Sequence, residues 1–142
     1  MKRLILFVML LLPISAMAQD ITVSSLMTEY SAKSKCSTIN LSSAMLRSMG
    51  VEMGADSLRA ISVADEVLMP RFLEQVGVIV ANLDVVMSVT DNGQRVSIYQ
   101  RVNRSGSVTD LVIVVSGDKE CVMMHIRGHD LELSKVGSLL NR

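Results

Sequence analysis

The chain has 142 residues, and its 14 Lys and Arg are balanced by 14 Asp and Glu, for a formal net charge of zero. Proteins that bind nucleic acid usually carry a basic excess, so this balance argues against a nucleic-acid partner. Apolar residues make up 49% of the chain and aromatic residues only 3%, so Val, Leu, Ile and Met must fill the hydrophobic core.

The N-terminal segment has the features of a secretory signal peptide. A basic start at Lys2 and Arg3 precedes an apolar run, Leu4–Leu12, which is too short to span a bilayer as a permanent helix. Small residues then precede a cleavage site between Ala18 and Gln19. We therefore expect the segment to be removed during export.

Removal of residues 1–18 would take away two of the 14 basic residues and none of the 14 acidic ones, leaving a formal charge of −2. The remaining residues, 19–142, have the size of one small domain with one core. We expect a single α+β domain that is periplasmic or secreted and has no transmembrane segment in its mature form.

The first half of the mature chain alternates between helical and strand patterns. Apolar residues at helical spacing predict an opening helix, and Pro70 suits the first turn of a longer one that runs through Asn82. Gly50 supplies a left-handed stop for a short helix between them. The predicted elements are, in order, a helix on Val23, Leu26, Met27 and Tyr30, a strand over Cys36–Ser42, a short helix on Met45, Leu46 and Met49, a strand over Ser57–Ala64, and a helix over 70–82.

Residues 83–127 predict an antiparallel four-stranded meander. Asn92 and Gly93 tolerate the positive φ of a two-residue type I′ turn, and this turn sets Val89 opposite Val96. We expect one or two N-terminal strands to extend the meander and the helices to pack mainly on one face. A short terminal helix on Leu133, Val136, Leu139 and Leu140 completes the prediction.

A second turn at Asn103–Ser107 would set Val96 and Ile98 opposite Val114 and Val112 on the inner face of the sheet. The strand after this turn would then be apolar on both faces. Either a second layer covers the outer face, or that face is a contact surface with a polar rim. The predicted contact surface consists of Val86, Arg95, Tyr99, Arg101, Leu111, Ile113 and Val115.

Several stretches together resemble the domain of unknown function 4252 family. They are a helix ending in Tyr30-Ser31, the strand and helix INLSSAML, the turn DNGQRVSIYQR, the strand DLVIVVSGDKE, and a final strand running into Gly128. The resemblance covers residues 21–140. It implies a small bacterial envelope protein, although this chain lacks the lipobox cysteine of many relatives, and it implies no catalytic residues.

The sequence HIRGHD contains the most conspicuous chemical cluster, with His125, His129 and Asp130. On a strand the two histidines would lie more than about 10 Å apart at roughly 3.3 Å per residue, too far to share one zinc ion. We therefore interpret His125 as a surface residue of the outer face and His129 as a turn residue.

Met45, Met49 and Met53 are spaced four apart, and thioethers are ligands for Cu(I). Met also fills irregular cores, and Met45 and Met49 are predicted on the apolar face of their helix, so the core interpretation is favoured. There is no G-x-S-x-G sequence and no phosphate-binding loop. No catalytic, cofactor or metal residue is therefore assigned.

Cys36 and Cys121 are the two cysteines, and export to an oxidising compartment favours a disulfide between them. Each begins a predicted strand, so the thiols would lie level if those strands were parallel neighbours. The alternative is two buried free thiols. Both outcomes remain open at this stage.

We expect an exported, non-catalytic envelope protein that binds an unknown envelope protein or itself through the outer sheet face. The alternatives are a periplasmic carrier of a small molecule or copper, and an unrecognised enzyme.

Overall fold

The computed structural model describes residues 21–50 and 54–131. The predicted signal peptide with its cleavage site, Met53 and the predicted terminal helix lie outside the described residues. The elements are α1 (Val23–Ser31), β1 (Cys36–Ser42), α2 (Ser43–Ser48), β2 (Ala55–Val63), α3 (Met69–Val80), β3 (Asp84–Asp91), β4 (Gln94–Val102), β5 (Val108–Ser116) and β6 (Cys121–Gly128). Among these helices, none has the length and apolar character needed to cross a bilayer.

The strands form one antiparallel sheet in the order β1-β2-β6-β5-β4-β3. The predicted α+β class is confirmed. The strand predicted over Ser57–Ala64 is β2, and it lies between β1 and β6. The sheet is thus a continuous six-stranded unit with β1 and β3 at its edges.

The long helices α1 and α3 pack on one face of the sheet, which we call the helix face. Thr22 caps α1 by accepting a hydrogen bond from the backbone N–H of Ser25, which satisfies one of the free donors of the first turn. The ring of Tyr30 meets that of Phe72 edge-on at 5.1 Å between centroids, and both side chains are fully buried. The short helix α2 lies on the other face, where Leu46 joins a second hydrophobic cluster.

The turn between β3 and β4 follows its prediction. Asn92 and Gly93 have φ of 52° and 79°, and Val89 pairs with Val96. The register shifts further along at a bulge, so Val85 lies opposite Tyr99, where continuous pairing from the turn would place Val86.

The predicted pairing of β4 with β5 is wrong by one residue. Val102 pairs with Val108, but the next pair is Arg101 with Asp110, because a bulge adds Thr109 to β5. Every later pair is shifted, so Ile98 lies opposite Ile113 rather than Val112. Since side chains alternate between faces, this shift exchanges the two faces of β5 relative to β4.

The predicted contact surface is therefore divided between the two faces. Val86, Leu111, Ile113 and Val115 belong to the cluster opposite the helix face, where Leu111 is 0% and Ile113 is 2% exposed. The remaining members, Arg95, Tyr99 and Arg101, lie on the helix face.

Cys36 and Cys121 are both free in this structure, which agrees with the second of the two alternatives, that of two free thiols. The two residues do lie level, but Val63 of β2 pairs with each of them and separates them. Two strand spacings place their Cα atoms about 10 Å apart, beyond the reach of a disulfide. Burial raises the pKa of both thiols, which disfavours the thiolate form.

Candidate functional site

Two neighbouring rows of side chains cross the helix face near one end of the sheet. The first row consists of Arg59, His125 and Val112, and the second of Arg127, Asp110 and Arg101. In the adjacent row towards the centre of the sheet, the same three strands β2, β6 and β5 carry the core residues Ile61, Met123 and Val114. The helix face therefore changes from apolar core to charged surface within one row.

A cleft of about 690 Å³ lies over these two rows. Its walls are residues 21–24 at the start of α1 and residues 78–83 around the end of α3, and the sheet forms its floor. The volume is within the range of about 300–1,000 Å³ that is typical of small-molecule sites.

His125 links two charged residues on the floor of the cleft. A guanidinium nitrogen of Arg59, Nη2, lies 3.1 Å from Nδ1 of His125, and Nε2 of His125 lies 2.8 Å from Oδ1 of Asp110. Because a guanidinium can only donate, Nδ1 must be the acceptor. The proton of the neutral imidazole is therefore on Nε2, which donates to Asp110.

The electrostatic surroundings support this neutral form. Burial lowers the pKa of His125; the hydrogen bond to Asp110 opposes the shift, and Arg59 and Arg127 add to it. Burial alone would raise the pKa of Asp110, but hydrogen bonds donated by His125 and Thr109 hold it below its usual value. At neutral pH the site thus combines a neutral imidazole with a charged carboxylate.

The three arginines give the cleft an excess of positive charge. Arg59 also donates from Nη1 to Ser24 Oγ at 2.7 Å, which fixes its position against α1. Arg127 Nε lies 3.9 Å from Asp110 Oδ1, beyond hydrogen-bonding distance. Within the described residues, neither Arg101 nor Arg127 donates a side-chain hydrogen bond. Three guanidinium groups against one carboxylate leave a formal excess of two positive charges, and the planar guanidinium matches carboxylate and phosphate.

The lowered pKa of His125 predicts that acid destabilises the fold. Between the ordinary pKa of 6.5 and the lower pKa of the folded state, the unfolded chain takes up a proton that the folded chain does not. The free energy of unfolding therefore decreases as the pH decreases through this range. One group contributes at most about 1.4 kcal/mol for each pH unit. Urea unfolding between pH 7.5 and 5.5 measures the slope.

His125→Gln should flatten this slope, because Gln does not titrate in this range. The matched control is His129→Gln, since the His129 side chain is 90% exposed. The assignment fails if the slope is unchanged in His125→Gln or is lost in the control.

The structure separates the histidines that the sequence analysis grouped. His125 is 7% exposed and lies on the helix face, so its interpretation as a surface residue of the outer face is wrong. His129 lies past the end of β6, where its Nε2 is 3.1 Å from Asp56 Oδ2. Across residues 21–50 and 54–131, no group of three or more His, Cys, Asp or Glu is arranged to hold a metal ion.

Met45 and Met49 are 49% and 57% exposed, so their predicted place on the buried side of the short helix is wrong. Leu46 provides the buried contact instead, at 2% exposure. The two thioethers therefore lie on the surface, on the side of the sheet opposite the cleft.

Sequence reasoning missed Arg59, Asp110 and Arg127 as members of a site. A usable signal was present in the strand pattern, because His125 and Arg127 are two residues apart and so point to one face. Whether these two residues lie beside Arg59 and Asp110 depends on the order and register of the three strands β2, β6 and β5.

No curated protein and no solved structure matches this chain. One family description matches part of it, from the first turn of α3 to beyond β6. That part supplies Arg101, Asp110, His125 and Arg127, whereas Arg59 and α1 precede it. Over residues 71–139, the chain resembles the family described as domain of unknown function (DUF4252).

Proposed function

We propose that the protein is an exported, non-catalytic binding module that holds a small organic anion in the arginine cleft. The observation that carries this proposal is the concentration of three guanidinium groups around one carboxylate, in a concave site of a chain with no excess of basic residues. Export rests on the signal-peptide features of residues 1–18.

A binding role fits the hydrogen bonding of the titratable groups. Both ring nitrogens of His125 are engaged, and both oxygens of Asp110 accept hydrogen bonds, from His125 and from Thr109. These hydrogen bonds hold the two side chains to each other and to their neighbours, which favours a binding role over proton transfer. Arg101 and Arg127, which we call the rim arginines, keep N–H donors available, as recognition of an anion requires.

The cleft takes the place of the outer sheet face as the proposed contact site. Leu111 and Ile113, the centre of the predicted contact surface, are buried in the second cluster. A partner could not reach them without opening the fold.

Removing the two rim arginines should weaken anion binding strongly. Hydrogen bonds to charged groups are worth roughly 1.5–3 kcal/mol, so Arg101→Gln with Arg127→Gln should lower the affinity for inorganic phosphate or acetate by at least about tenfold. Both side chains are exposed, and the variant should fold. Isothermal titration calorimetry at low ionic strength measures the affinity.

The matched control is Arg47→Gln with Arg104→Gln, which removes the same charge from exposed positions outside the cleft. It should retain the parent affinity. Equal losses in both double variants would mean that net charge alone attracts the anion, and an unmodified protein that binds no carboxylate and no phosphate would refute the proposed function.

A further inference from the structure

We infer that the anion is amphiphilic, with one acidic head group and a short apolar tail, an inference that rests on the proposed function. The head group is a carboxylate or a phosphate monoester, which share the chemistry that guanidinium groups recognise. The ligand is a free small molecule rather than part of a membrane.

The two sides of the cleft differ in chemistry. The sheet floor carries the charged residues, whereas both helical walls contribute apolar side chains. The apolar lining consists of Ile21 and Val23 from the α1 side, Val78, Ile79 and Leu83 from the α3 side, and Val112 at the inner edge of the floor. A ligand on the arginines would therefore lie against apolar side chains as well.

Val78 shows that this apolar wall is open to a ligand. The apolar Val78 side chain lines the cleft beside the arginines and is 47% exposed. The neighbouring Ile79, which also lines the cleft, is only partly buried against the core. Covering such surface removes apolar area from water, which is favourable. An inorganic ion would leave both this wall and most of the 690 Å³ in contact with water.

The charge in the cleft limits the head group. The formal excess of two positive charges matches a head group with one or two negative charges. Asp110 lies between Arg127 and Arg101 in its row. Its carboxylate would repel a more highly charged anion more strongly. The charge of the cleft and its apolar wall together select a ligand with one acidic group and a tail of a few carbons.

The test is a chain-length series measured by isothermal titration calorimetry at concentrations below self-association. Acetate, butyrate, hexanoate and octanoate are compared with phosphate, butyl phosphate and hexyl phosphate. Each buried methylene should tighten binding about two- to fourfold until the wall is covered.

Val78→Ser with Leu83→Ser should flatten the dependence of the affinity on chain length. The matched control, Val67→Ser, changes an 85% exposed residue outside the cleft and should preserve the dependence. A control that loses the dependence would overturn the inference.

The outcomes separate the two proposals. Equal affinities along the series would overturn the amphiphilic ligand and leave anion binding intact. Failure of every anion to bind would refute the proposed function and the inference with it. Binding to phosphatidylglycerol vesicles without binding to the monomeric series would overturn the inference in favour of a membrane surface.

Discussion

Replacing Leu111 with Lys should unfold the domain rather than disable a contact surface. The Leu111 side chain is completely buried and belongs to the second cluster with Ile98, Ile113 and Ile126. An ammonium group at this position would lose its hydration without a partner, or would have to give up its proton, and the apolar contacts of Leu would be lost as well.

We expect the Leu111→Lys substitution to cost more than about 4 kcal/mol, because charge burial is among the few changes that reach this size. Single domains are stable by only about 5–15 kcal/mol, so the variant should lose a large part of its stability and unfold at a much lower urea concentration. Far-ultraviolet circular dichroism during a urea titration measures the loss.

The control is Val85→Lys on the edge strand, where the side chain is 65% exposed. This variant should unfold close to the parent, within about 0.5 kcal/mol. A Leu111→Lys variant that unfolds where Val85→Lys does would restore Leu111 to the surface role that the sequence suggested.

The sequence predicted those features that depend on neighbouring residues. The spacing of Val23, Leu26 and Tyr30 placed one face of α1 in the core, where all three are buried. Asn92 and Gly93 can both adopt positive φ, and a two-residue turn leaves one register for the pairs beside it. Local chemistry was sufficient in both cases.

The place of Asp110 in the cleft could not be predicted, because it depends on a single bulge. The second turn forms where it was expected, with Asn103 Oδ1 accepting hydrogen bonds from the backbone of Ser105 and Ser107. The extra residue Thr109 then shifts the register and brings Asp110 to the helix face, opposite Arg101. Nothing in the residue types at this point favours a bulge over continuous pairing.

Arg59 depended on an even less local feature. It lies on β2, which pairs with the preceding strand β1 on one side and with β6, far along the chain, on the other. The hydrogen bond from Arg59 to His125 spans 66 residues, so no spacing rule could relate them. Register and strand order, rather than motifs, assemble this site.

Gly128→Ala should be strongly destabilising, for a reason that side-chain patterns do not reveal. A Cβ atom at Gly128 would collide with the carbonyl oxygen of Gly54 and would lie 3.0 Å from Cα of Ala55. Both are backbone atoms, so the end of β2 must move away from β6. The register of these two strands is already irregular here, between Ala55 and Ser57.

The movement would also strain the hydrogen bond of 3.1 Å that the N–H of His129 donates to Gly54 O. Overpacking that forces backbone shifts typically costs about 1–3 kcal/mol of stability and sometimes more. Because the collision is between backbone atoms and the new Cβ atom, we expect Gly128→Ala to lower the free energy of unfolding by about 3 kcal/mol. Arg127 precedes Gly128, so the same displacement should weaken anion binding.

The control is Gly77→Ala in α3, where a Cβ atom would meet no other atom within 4 Å. Ala has the higher helix propensity, so this variant should be more stable than the parent by about 0.5–1 kcal/mol. Urea unfolding of both variants should therefore move the midpoint in opposite directions. If Gly128→Ala unfolds with the parent's midpoint, the close approach of β2 to β6 at Gly54 does not exist, and the register that positions Arg127 over the cleft must be revised.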